Sequence, residues 1–353
     1  MKPVYLAGRG LACSLGLDVP AAVTALRSGG GAASFYTLPG EPAVRVPYRA
    51  MADVPGDWNT RAGELIRRVA LEAGAQHARD GALFIATSSF DIGAVEQGAA
   101  GMDYQAFADK VAAWLAWVGP VFVVSTACTS SLNAMMAAHA LLHSGTVQDA
   151  LVLGVELNNR LTVDGFAALQ LLSPDRSKPF GAHRDGLVLG EAVAALRLSS
   201  RASSHWQMLG GANVVHGKQP TSASASAVEY MYRSALAHCG LAADAIDLIK
   251  VQAAGSPGND AIEAQGLRGM FPTMPPLVSL KATIGHTMGA SGAAEIALLT
   301  ACLEHGVWPT YADAQDETLG VQLAARQPDS VRRLMASILG FGGGHATVVL
   351  ERT

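Results

Sequence analysis

Charge is scarce in this chain of 353 residues, in which Asp, Glu, Lys and Arg together make up 15%. The 25 basic and 29 acidic side chains leave a formal charge of −4, and no tract of five basic residues occurs. A nucleic-acid footprint or a membrane-surface patch needs such a tract, so neither partner is expected. Cysteine is sparse too. Cys13, Cys128, Cys239 and Cys302 stand far apart, with no C-x-x-C pair, which excludes a disulfide framework. No apolar run reaches the roughly eighteen residues that would span a bilayer. The first seventeen residues are broken by Arg9 and lack a basic segment followed by an apolar one, so no secretory leader is expected. A reducing cytoplasm is the expected setting, and there a cysteine can be kept for its reactivity. Linkers are also missing: the nearest candidate break is the polar patch Ser199 to Ser204.

Hydrophobic residues, in contrast, make up 50% of the chain, and 38 glycines are spread along it. That balance builds a large core with close helix-to-sheet packing. Short β-branched runs read as buried strands at Ala82–Ala86, Val121–Ser125, Ala150–Val155, Ile249–Ala253, Leu277–Leu280 and Ala346–Leu350. Helical spacing lies between them, at Ala62–Ala75, Leu132–Leu142, Ala227–His238 and Ala293–Leu303. The alternation predicts an α/β fold. It also repeats. Val121–Gly145 and Leu277–Gly306 each read as a strand, a polar turn, then a small-residue helix ending in His-Ser-Gly or Glu-His-Gly. A duplicated fold would put Cys128 and His286 in matching positions.

Cys128 falls between a strand and a helix, within Ser125-Thr-Ala-Cys-Thr-Ser-Ser131. The free N–H groups of a helix N-terminus favour an anion, so the thiol there is expected to be drawn toward the nucleophilic thiolate. His286 lies in Lys281-Ala-Thr-Ile-Gly-His, placed to donate to an acyl carbonyl, with Lys281 placed to orient or polarise it. Gly340-Phe-Gly-Gly-Gly344 lacks the G-x-G-x-x-G spacing of a phosphate loop and precedes a strand. It reads as a backbone turn near a ligand, with Phe341 as a movable cover. His139 and His143 have the spacing of a zinc pair but no glutamate follows His139, and no metal is expected. No G-x-S-x-G elbow occurs, which argues against an ordinary serine hydrolase.

Taken in order, these segments resemble the β-ketoacyl-acyl carrier protein synthases of the thiolase superfamily. The resemblance runs from Val4–Gly8 through Ser125–Ser131, Gly165-Phe166, Lys178–Phe180, Arg184–Gly186, Gly190-Glu191, Asn259–Ala264 and Lys281–His286 to Gly340–Gly343. Only Arg27–Gly56 and Phe90–Gly119 match poorly. It implies a thiolase-like five-layered α-β-α-β-α fold with two pseudo-symmetric halves, residues 1–198 carrying Cys128 and 199–353 carrying Lys281, His286 and Phe341. By motif, Cys128 matches the nucleophile, His286 the second histidine and Lys281 the lysine near it. The backbone N–H groups of Cys128 and Phe341 match the oxyanion hole, with Gly342 beside them, and Phe341 also matches the gate over the acyl pocket. No cofactor is implied. The implied partner is an acyl carrier protein bearing acyl or malonyl phosphopantetheine, and dimerisation is implied through Val121–Ser125.

One histidine does not carry over. Ala254 stands where the family places its first catalytic histidine, in Val251-Gln-Ala-Ala-Gly-Ser-Pro-Gly-Asn-Asp260, and the loop is two residues shorter. Losing one preorganised oxyanion donor costs about 3–4 kcal/mol. Acylation of Cys128 is therefore expected to survive better than condensation. The resemblance then implies a chain-length-factor-like subunit paired with a complete ketosynthase, as a heterodimer or otherwise a homodimer. Two other readings stay open: an active 3-oxoacyl synthase, and an acyltransferase that forms no carbon–carbon bond. The Gly165–Gly181 stretch is similar to synthases of bacterial aryl polyene, type II polyketide pathways.

Overall fold

The computed structural model describes residues 2–353 except 32, 53, 101–102, 217–220 and 222. Its strands are β1 (Val4–Cys13), β2 (Ser34–Leu38), β3 (Val44–Arg49), β4 (Ala82–Ala86), β5 (Val121–Val124), β6 (Asp149–Glu156), β7 (Leu189–Gly190), β8 (Ala192–Ser199), β9 (Trp206–Val215), β10 (Leu248–Lys250), β11 (Leu277–Val278), β12 (Arg333–Leu339) and β13 (Gly344–Arg352). Its α-helices are α1 (Val19–Arg27), α2 (Trp58–Glu72), α3 (Ile92–Glu96), α4 (Tyr104–Leu115), α5 (Ser130–Ser144), α6 (Arg160–Ala168), α7 (Ala225–Cys239), α8 (Pro257–Met270), α9 (Lys281–Ile284) and α10 (Ser291–His305).

Strand order carries a repeat. The larger sheet runs β11-β10-β12-β13-β9-β1-β8-β6-β4-β5. Each side of the β9–β1 seam uses one plan. The first strand of the set lies at the seam, and the last pairs antiparallel beside it. The fourth is antiparallel to the last. The second and third follow in parallel. The seam itself is thin, with Val4 opposite Met208 and Tyr5 opposite Gln207.

Alternation along the strands then builds layers. Phe84, Val152 and Leu196 on one side of the seam, and Leu334, Val348 and Leu350 on the other, share a core with α5 and α10. Intervening residues such as Ile85, Leu153 and Val193 face α2 and α4. Ile249, Met335 and Val349 face α7 and α8. The stacking is helix, sheet, helix pair, sheet, helix: the expected five layers. The middle pair α5 and α10 is covered by both sheets, which explains helices apolar on nearly all sides.

Two strands end earlier than their apolar runs predict. Residues 252 and 253 leave the ladder after β10 because Glu263 accepts the Gln252 and Ala253 N–H groups, each at 2.7 Å. Ser279 leaves β11 because its N–H donates to the Tyr311 hydroxyl at 3.0 Å. β1 shows no β-branched signature because it carries Gly8 and Gly10. A Cβ on either would sit 2.0 Å from a carbonyl oxygen of Ala73 or Val69, so these glycines let the strand lie against α2. A smaller sheet, β2-β3-β7, supplies Val46, Tyr48 and Leu189 to a cluster with Phe166 and Ala254.

Candidate active site

The turn after β5 presents the thiol. Ala127 takes the left-handed conformation, φ 52°, and Ser130 Oγ ties the bend by donating to the Ala127 carbonyl at 2.6 Å. The bend aims Cys128 inward, where it is 2% exposed. The facing turn after α9 is fixed by the main chain. His286 N donates to the Val188 carbonyl at 2.7 Å, and Gly190 N donates to the His286 carbonyl at 3.1 Å. The two turns bring His286 Nε2 to 3.1 Å from Cys128 Sγ.

Behind the imidazole lies a buried chain of charges. Lys281 Nζ is 3.4 Å from His286 Nδ1, and Ser291 Oγ is 3.0 Å from the same nitrogen. Lys281 donates to Glu295 Oε1, and Lys250 donates to Glu295 Oε2 at 2.5 Å. An ammonium has donors only, so Nδ1 accepts from Lys281, and Nε2 is left carrying the proton toward the sulfur.

Burial governs the titrations. It lowers the His286 pKa well below 6.5, with the Lys281 and then the Lys250 charges adding to the shift, so the ring is neutral. Burial opposes ionisation of Glu295, but the two ammonium groups outweigh it and hold the carboxyl low. Burial pushes the Cys128 thiol up to about 11, although Lys281 and the Phe341 N–H pull it back. The expected drift toward thiolate therefore fails in the free site. Desolvation exceeds the pull of the helix end, because Cys128 lies before the first turn of α5 and out of water.

Phe341 lies beside the thiol. Its N–H reaches the Cys128 sulfur, and its ring stacks on Phe166 with centroids 5.3 Å apart. Gly342, at φ 78°, turns the chain back toward β13. A cavity of about 30 Å³ is bounded by Cys128, His286, Phe341, Gln252 and Ala254. Ala254 thus lies on the wall of the cavity that holds Cys128, and His286 is the one imidazole lining this cavity among the described residues. His345 lies on β13 opposite Leu339 and Val214, with neither ring nitrogen hydrogen-bonded. His139 and His143 stack on each other at 5.2 Å and line a different cavity with His238.

Sequence reasoning passed over Glu295, Lys250, Ser291 and Gln252. A lone glutamate inside the Ala293–Leu303 run of small and apolar residues was the available signal for the first.

Comparison with known proteins identifies the family. The family model "Beta-ketoacyl synthase, N-terminal domain" matches residues 58–204. The model "Beta-ketoacyl synthase, C-terminal domain" matches residues 208–315. The chain is 31% identical, over 74% of its length, to the phenolphthiocerol synthesis polyketide synthase type I Pks15/1 of Mycobacterium marinum, of which it spans only 14%. It is 30% identical, over 69% of its length, to erythronolide synthase EryA2 of Saccharopolyspora erythraea, of which it spans 8%. Among solved structures, it superposes on a chain of the complex of the ketosynthase ApeO with its chain length factor ApeC from Xenorhabdus doucetiae with TM-score 0.84 and 25% identity, covering 100% of this chain and 98% of that one. It superposes on the ishigamide ketosynthase/chain length factor with TM-score 0.88 at 22% identity, covering 100% and 99% of the two chains.

Proposed function

Because the chain belongs to the β-ketoacyl synthase family, we propose that it accepts an acyl chain on Cys128 but condenses poorly, acting as a chain-length-factor-like partner of a complete ketosynthase. The observation that carries this reading is the wall of the thiol cavity. It holds Ala254 where a second imidazole would stand, and no other histidine lines it among the described residues.

The residues that remain suit acyl transfer. A carrier-bound thioester entering past Phe341 would meet the sulfur of Cys128. The thiol attacks the carbonyl carbon, the carrier's C–S bond breaks, and the thiol proton leaves with the carrier thiol. The N–H groups of Cys128 and Phe341 serve the oxyanion. The His286 Nε2–H, held in that tautomer by Lys281, donates to the carbonyl side of the bond. Decarboxylation of a malonyl group asks for a second donor at the developing enolate, and Ala254 offers none. In this reading residues 1–198 and 199–353 are the two halves, joined at the thin β1–β9 seam.

A partner has a place to bind. β5 lies at the end of the sheet, with Phe122 exposed beside Val118. Unpaired strand edges of this kind are templates for a second chain. Among the described residues no helix is long and apolar enough to cross a membrane. The test is carbon dioxide release from malonyl-carrier protein, measured for the purified chain alone and with a candidate ketosynthase. Ordinary turnover by the chain alone removes the impaired-subunit reading and leaves an active 3-oxoacyl synthase. A second reading, acyl transfer from Cys128 to another nucleophile, rests on the intact Cys128–His286 contact.

A further inference from the structure

The wall around Ala254 is rigid and rich in acceptors. Asp260 takes the N–H groups of Ala254, Gly255 and Ser256 at 3.1–3.2 Å, and that of Phe180 at 2.9 Å. Glu263 takes those of Gln252 and Ala253. The two carboxylates thereby fix the backbone of residues 252–256. Period-two geometry puts the Gln252 and Ala254 side chains on one side, and both line the cavity beside Cys128. Gln252 is 7% exposed, yet its Oε1 is buried with no hydrogen-bond partner. A buried acceptor left alone costs about 1–3 kcal/mol, so such an atom marks a place for a small proton donor.

Size and charge narrow the donor. The cavity measures about 30 Å³, which exceeds the roughly 10–15 Å³ that one water needs. Asp260 also lines it, and among the described residues no lysine or arginine does, so a carboxylate ligand is unwelcome there. A water is neutral and can donate to Gln252 Oε1. In the same cavity it lies beside the sulfur that would carry the acyl chain.

From this we infer a second activity: the protein hydrolyses its own acyl-Cys128 thioester, using a water held by Gln252 in the room left by Ala254. The step balances without a further reactant. The water oxygen bonds to the acyl carbon, and the C–S bond breaks with its electron pair kept on Sγ. His286 Nε2–H protonates the sulfur, and the proton lost by the water returns to His286. The products are free Cys128 and a carboxylic acid. An imidazole at position 254 would fill the water's place, so loss of that histidine turns a condensing pocket toward release of stalled chains.

This inference rests on Cys128 accepting acyl groups, and the two claims separate in one experiment. The full chain is loaded with S-hexanoyl-N-acetylcysteamine in heavy-oxygen water. Intact mass follows the adduct, and hexanoic acid is analysed for the label. The expected result is an adduct absent in Cys128→Ala that decays to labelled acid. The decay rate per adduct should fall about tenfold in Gln252→Leu, the worth of one lost hydrogen bond. It should fall similarly in Ala254→Val, which removes the room and keeps the amide. An adduct that decays equally in wild type and both variants overturns the hydrolase inference and leaves acylation standing. No adduct at all overturns both.

Discussion

Lys250 donates to Glu295 Oε2 at 2.5 Å although the two side chains are 1% and 0% exposed. Glu295 spends its other oxygen on Lys281. One carboxylate thus serves two ammonium groups out of water, directly behind His286. Burial lowers the Lys250 pKa to about 8 even with Glu295 beside it. Removing Glu295 strands both cations, whereas removing Lys250 leaves one neutral pair. Glu295→Gln is expected to cost about 3–5 kcal/mol of stability, and Lys250→Met clearly less. Urea unfolding of the two variants checks the order. Equal costs would mean that the charges are not bound as a triad.

The pH dependence of Cys128 follows from its burial. A thiol pushed up to about 11 should react with iodoacetamide at a rate that climbs through the neutral and alkaline range with no plateau near neutrality. Lys281 is a cation that favours the thiolate, so Lys281→Met raises the thiol pKa further. At a fixed pH below that value the variant holds less thiolate and reacts more slowly. Mass-resolved alkylation rates between pH 6 and pH 10 (a span of about four units) decide the point. A plateau at neutral pH would restore the helix-end argument over desolvation.

Cys128, His286, Lys281 and Phe341 were legible because each sits in a local pattern, at a turn joining a strand to a helix or to a strand. The repeat between Val121–Gly145 and Leu277–Gly306 also has a counterpart in the matched strand orders on either side of the β1–β9 seam. Lys250 and Glu295 were not legible as partners, because they are 45 residues apart and meet only through packing. Gln252 was hidden for a related reason. Its run reads as a continuing strand, and sequence does not show that the side of the chain it shares with Ala254 faces the thiol cavity. The balance at Cys128 was misjudged because sequence shows a helix start but not how deeply the residue before it is buried.

Phe122 tests the proposed partnership. It stands 42% exposed on the edge strand, beside Val118 at 83%, and its ring stacks on Phe84 at 4.9 Å. A lysine there would put a charge on the free edge without entering either core, so the fold should persist. Phe122→Lys is expected to abolish co-elution with a candidate ketosynthase, and any self-association, in light-scattering chromatography while the circular dichroism spectrum stays unchanged. Undiminished association would place the partner elsewhere.

Ala254→His addresses the main reading directly. The backbone at 254 is held by Asp260, and the side chain already faces the cavity that contains Cys128 and His286. Restoring an imidazole supplies the second donor, and one such donor is worth about a hundred- to a thousandfold in rate. Carbon dioxide release from malonyl-carrier protein should therefore rise by up to that factor, and an Ala254→His, Cys128→Ala double variant should form no 3-oxoacyl product. The larger side chain also occupies the space assigned to water, so acyl-Cys128 should persist longer as decarboxylation improves. A gain in one with no change in the other would separate the two roles given to position 254. No gain in decarboxylation from a folded variant would mean that the missing imidazole is not what limits condensation.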